Sequence, residues 1–132
     1  MANPNLAGTS TTIYGVTTYL TPSAVTAVVL LPNAASSGTV MKINQIVAAN
    51  VNGSAAVNTT VSIYTNGAVA QGNAPSGGTA FPIASVVSVP QNASLIVVDK
   101  TSALYLMEGS SITVTSGTAS GITYSISYEL IA

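Results

Sequence analysis

Ile122-Thr123-Tyr124-Ser125-Ile126-Ser127-Tyr128-Glu129-Leu130 alternates apolar or aromatic residues with polar ones, without a break. Successive side chains of a β-strand point to opposite faces, so this stretch predicts a strand with one buried face and one wet face. Ile and Tyr suit a pleated surface. Tyr124 and Tyr128 share the apolar face with Ile122 and Ile126, which places them in the core.

The same period recurs upstream. Val57, Thr59, Val61, Ile63 and Thr65 alternate with Asn58, Thr60, Ser62 and Tyr64. This predicts a strand on which Val61→Asp is disruptive and Ser62→Asp is tolerated, and on which Tyr64 lies on the wet face. Met41, Ile43, Val47 and Ala49 suggest a third strand, interrupted by Gln45. Shorter strands are expected at Thr11–Leu20, Ala24–Leu31, Ile83–Val89, Leu95–Asp99, Ala103–Met107 and Ser111–Thr115. Turn formers separate them. Asn66-Gly67 follows a clean strand and predicts a tight hairpin tip, and residues 72–79 form the longest loop. No stretch carries helix start and stop signals. About nine short strands at this spacing predict an all-β antiparallel sandwich, with a jelly roll of two sheets preferred.

Residues 11–132 read as a single sandwich domain. Residues 1–10 differ, holding Pro4, Gly8 and polar residues with Leu6 as the one large anchor besides Met1. They are either a frayed terminus or an extended arm laid on a neighbouring subunit. On the second reading Asn3, Pro4, Asn5 and Leu6 are candidate interface residues. Tyr64 joins them as a contact candidate, because Tyr buries area while keeping a polar tip.

Composition narrows the function. Only 4% of the residues are charged, against roughly 25% in ordinary soluble domains. The charges are Lys42, Asp99, Lys100, Glu108 and Glu129, and the chain has no His, Cys, Trp or Arg. Two lysines cannot build the basic face that nucleic acid or an anionic membrane requires. Without Cys there is no disulfide scaffold and no thiolate chemistry. No signal peptide or apolar run near 20 residues is visible, so neither export nor a membrane helix is expected. A near-neutral surface repels its own copies weakly, which favours assembly.

Catalysis finds little material. A Ser–His–Asp arrangement is impossible without His. A Ser–Lys pair has Lys42 and Lys100 available, but Lys42 lies between Met41 and Ile43, on the strand's wet face. Asp99 and Glu108 could meet across a short hairpin as the carboxylate pair of a glycosidase. Lys100 beside Asp99 and the scarcity of aromatic residues favour solvated turn charges instead. A calcium site would need several converging oxygens, which the spacing does not suggest. The sequons at Asn52, Asn58 and Asn92 are assigned no function in so Ser- and Thr-rich a chain. The expectation is a protein with no catalytic residues, cofactor, metal or small-molecule substrate.

One part of the chain supports a family resemblance. Leu95-Ile96-Val97-Val98-Asp99-Lys100, Leu104-Tyr105-Leu106-Met107-Glu108-Gly109-Ser110-Ser111-Ile112-Thr113-Val114, and the closing Ser127-Tyr128-Glu129-Leu130-Ile131 resemble the C-terminal half of small virion structural proteins of tailed bacteriophages, cyanophages among them. Ser110 stands where that pattern has an aspartate. The resemblance covers roughly the last third of the chain. It implies a non-enzymatic capsid decoration, or cement, protein made in the host cytoplasm and placed on the capsid exterior. There it would bridge major capsid subunits and associate with copies of itself as a trimer. The alternative is a fibre or receptor-binding module of the tail, neck or baseplate.

Overall fold

A computed structural model of the chain describes residues 12–102 and 104–132. Nine strands follow one another: β1 (Ile13–Leu20), β2 (Val28–Asn33), β3 (Val40–Asn50), β4 (Val57–Tyr64), β5 (Ala80–Val89), β6 (Ser94–Val98), β7 (Leu104–Leu106), β8 (Ser110–Ser116) and β9 (Ile122–Ile131). The only helical segment among the described residues is a 3-10 turn at Lys100–Ser102. The candidate arm residues Asn3, Pro4, Asn5 and Leu6, and Ala103 of the expected strand Ala103–Met107, lie outside the described residues.

The strands form two antiparallel sheets. One runs β1-β9-β3-β6, with β7 pairing β3 beyond β6; the other runs β2-β8-β4-β5. The pairing nests: β1 with β9, β2 with β8, β3 with β6 and β7, β4 with β5. A long hairpin rolled up so that its successive rungs alternate between two sheets has this order, which is the jelly roll.

The core lies between the sheets. Val61, Ile112 and Val114 from one sheet face Ile43, Ile46, Ile122, Tyr124 and Ile126 from the other, all with no accessible surface. β9 follows its alternation, with Ile122, Tyr124 and Ile126 buried and Tyr128 and Leu130 packed against the core.

Three local corrections concern strand phase and loop position. In β3 the register against β9 shifts between Ile43 and Gln45, so Asn44 is an extra residue. A one-residue insertion reverses which side chains face inward. Ile46 and Ala48 therefore take the core positions, while Val47 and Ala49 turn to the other face and stay half-buried. In β2 the strand begins at Val28 rather than Ala24, and a shift between Val29 and Leu31 makes Leu30 the extra residue. Asn66-Gly67 is not a hairpin tip, since the β4–β5 connection runs from residue 65 to 79 before β5 returns along β4. Gly67 serves a close approach instead: a Cβ there would lie 2.1 Å from the Asn33 carbonyl oxygen and 2.6 Å from that of Ser110.

Candidate interaction surface

Asp99 and Glu108 are tied into local structure. Asp99 Oδ1 accepts hydrogen bonds from the Thr101 hydroxyl (2.6 Å), the Thr101 amide (3.0 Å) and the Ser102 amide and hydroxyl (both 3.1 Å). The Thr101 and Ser102 side-chain bonds hold this carboxyl below its ordinary pKa. Its role is to close the turn after β6. Glu108 Oε1 accepts from the Gly38 amide at 2.7 Å, tying the β7–β8 turn to the β2–β3 connection. Lys42 and Glu129 are opposite one another on β3 and β9. Among the described residues no three carboxylates come together.

The buried side chains of Asn33, Asn50 and Tyr124 are also structural, and periodicity gave no sign of their partners; the Asn44 Oδ1 at the β3 irregularity is buried with no partner among the described residues. Asn33 Nδ2 donates to the carbonyls of Thr39 and Leu106 (both 3.1 Å), and its Oδ1 accepts from the Ser37 and Thr39 hydroxyls. Asn50 Nδ2 donates to the Val89 carbonyl at 2.9 Å and the Ala55 carbonyl at 3.0 Å, joining the end of β3 to β5 in the other sheet. The Tyr124 hydroxyl donates to the Thr115 carbonyl at 2.9 Å and is hydrogen-bonded to Thr59 across the core. Burial pushes the Tyr124 phenol up to about 12. Such groups are spent on holding the two sheets together rather than aimed at a ligand.

Tyr64 is corrected as a contact residue. It is only 8% exposed, and its hydroxyl accepts the Gly78 amide at 3.0 Å. It does lie on the face of its sheet away from the core, but the 65–79 loop packs there. Ser111 donates its hydroxyl to the Asn66 carbonyl (2.9 Å), and a Cβ on Gly78 would lie 2.9 Å from the Tyr64 ring. The loop then reaches the far edge of the sheet. There the Val29 amide donates to the Asn73 carbonyl (2.9 Å) and the Gly72 amide to the Val29 carbonyl (2.8 Å). Ser62, on the same face, is likewise buried.

Several large apolar side chains remain exposed. Where β5 packs beside β6, one flank of the sandwich presents Phe81, Ile83 and Val86 from β5, Ile96 from β6 and Tyr105 from β7. β5 has two register shifts against β4, and Val86 adopts φ +49°, a strained conformation for a β-branched residue. Its amide donates to the Thr60 hydroxyl at 3.0 Å while its side chain stays 65% exposed. The opposite flank, where β1 lies beside β2, presents Ile13, Tyr14 and Tyr19. No charged residue lies in β1 or β5. β1 and β2 carry no charge, while the β5–β7 side adds only Asp99 and Lys100 to its apolar residues, a surface suited to protein contact and poor in groups to hold ions or phosphates.

No protein-family model, curated protein or solved structure matches this chain.

Proposed function

We propose that this protein is a non-enzymatic structural subunit of a bacteriophage virion, a capsid decoration or cement protein bound to the capsid exterior. It bridges neighbouring major capsid subunits through nonpolar contact and works in many copies. The observation that carries this reading is the set of large apolar residues exposed on the edge strands of a jelly roll whose Asp99, Glu108, Asn33 and Asn50 side chains are consumed in holding turns and sheets. The resemblance of the β6–β9 segments to small virion proteins supports the virion as the setting.

The test is copy number per particle. Purified virions are resolved by gel, and the band of this chain is quantified against the major capsid protein. A cement protein is present at a number comparable to the capsid subunits. A count of a few dozen or fewer would move the protein to the tail, neck or baseplate, and absence from the particle would end the virion reading.

A further inference from the structure

We infer that β1 is the strand through which two copies of this chain join, edge to edge, about a two-fold axis. A sandwich has four lateral edges, and each is a row of main-chain donors and acceptors that can template another chain. Three of them are blunted here. β2 is covered by Gly72 and Asn73, which bond to Val29. β5 carries Pro82, two register shifts and the strained Val86. The β6/β7 edge is short and is broken by Asp99 and Lys100. β1 has none of these devices from Ile13 to Thr17; only at its end does Gln71 of the 65–79 loop reach the Thr18 hydroxyl (3.1 Å) and the Tyr19 carbonyl (3.5 Å). The strand is 8 residues long, contains no Pro and no charge, and keeps unbroken register with β9 from Ile13 to Leu20.

The hydrogen-bond phase shows which groups are presented. Thr12 and Ala132 exchange both main-chain bonds, at 2.8 and 2.9 Å. Residues opposite one another in an antiparallel pair alternate between exchanging such bonds and directing them away. Tyr14, Val16, Thr18 and Leu20 therefore bond to β9, and Ile13, Gly15, Thr17 and Tyr19 direct their amides and carbonyls to the open edge. Gln71 Nε2 sits 3.5 Å from the Tyr19 carbonyl, which agrees with this phase. Among the described residues β1 pairs with no strand but β9.

A second β1 is the occupant these groups fit. An edge with no charge meets no repulsion from its own copy, and a two-fold contact needs only one self-complementary strand. Pairing Gly15 with Gly15 of the second copy brings Ile13 opposite Thr17 of the second copy. It leaves the Tyr19 carbonyl to Gln71. A Cβ at Gly15 would meet nothing within 4 Å in one copy, so the approach is open. The contact between copies is then two-fold rather than the three-fold grouping that the family resemblance implies. The inference does not depend on the virion reading, since it concerns the isolated chain.

The test combines sedimentation of the full chain with main-chain hydrogen exchange. A dimer is expected in which the Gly15 and Thr17 amides are protected. Thr17→Lys places a charge on the edge, and Thr17→Pro removes an outward amide that β9 does not use. Both variants should keep the far-ultraviolet spectrum of the parent and sediment as monomers. Removing residues 1–10 should leave the dimer intact. The inference is overturned by a parent that is monomeric at high concentration, by an oligomer whose Gly15 and Thr17 amides exchange freely, or by folded Thr17 variants that still dimerise. It is also overturned if the truncation alone dissolves the dimer, for then the N-terminal residues make the contact. Exchange on the parent decides the matter even if both variants fail to fold.

Discussion

The two sheets turn outer faces of similar chemistry to different surroundings. On β9 the face away from the core carries Thr123, Ser125, Ser127 and Glu129, which stay half-exposed. On the other sheet the equivalent face carries Ser62 and Tyr64 of β4, Ser111 and Thr113 of β8 and Val29 of β2, and all five are buried. The difference comes from the 65–79 loop, which is pinned by the Tyr64–Gly78, Ser111–Asn66 and Val29–Asn73 bonds. Small neutral residues are as acceptable under a loop as under water, provided their hydroxyls find partners. Ser, Thr and Tyr on one face of a strand therefore mark that face as not the core, without marking it as wet.

Substitutions should sort by this contrast. Val61 is fully buried on the core face, so Val61→Asp places an unpaired carboxylate between the sheets and should prevent soluble expression, a loss of several kcal/mol. Ser62→Asp comes next. Simple alternation makes it silent, but Ser62 is only 4% exposed, and the covered face predicts a loss of about 2 kcal/mol or more in chemical denaturation. Gly67→Ala should lose about the same, because its Cβ would collide with the Asn33 and Ser110 carbonyls and lift the loop. In that variant the Tyr64 ring should become more accessible, readable by its fluorescence. Ser125→Asp, on the open face of β9, should change stability by less than about 1 kcal/mol. If Ser62→Asp and Ser125→Asp behave alike, the loop does not cover its sheet.

Tyr124 gives an effect between those of Ser62 and Ser125, with a pH signature. Tyr124→Phe should lose about 1–2 kcal/mol, since the Thr115 carbonyl and Thr59 hydroxyl lose a buried partner. Its phenol is raised from the ordinary 10.0 to about 12, so the fold favours the neutral form. That contribution is intact below pH 10 and is lost as pH rises toward 12. Thermal melts of the parent should therefore fall steeply over that interval. The Tyr124→Phe variant, lacking the group, should fall less steeply. Between about pH 5 and 9 both should be flat, because no His or Cys is present to titrate.

Much of the fold was legible in the sequence because period two survives wherever a strand has one core face. β9 shows this without a blemish, and the Gln45 interruption marked the place where Asn44 reverses the phase of β3. The rest depended on distant partners. Ala24 to Ala27 read as strand from apolarity, yet Val25 is exposed and the strand begins at Val28. Asn66-Gly67 has the chemistry of a tight turn, but its place is set by the ends of β2 and β8, far away along the chain. The fate of Tyr64 followed from that loop. Of the surface residues proposed from sequence, Tyr64 is buried and the others precede the described residues, while Phe81, Ile83 and Val86 of the exposed flank went unmarked. Residue types record burial preference; which strand ends a sheet is decided by pairing between segments far apart in sequence.

Association through nonpolar contact is most directly probed by salt. Under the proposed capsid role, binding of the purified chain to capsid shells lacking it should be measured from low to molar salt. Nonpolar association predicts affinity that holds or rises slightly across the series, because screening acts only on charges. A steep, progressive release with rising salt would contradict it.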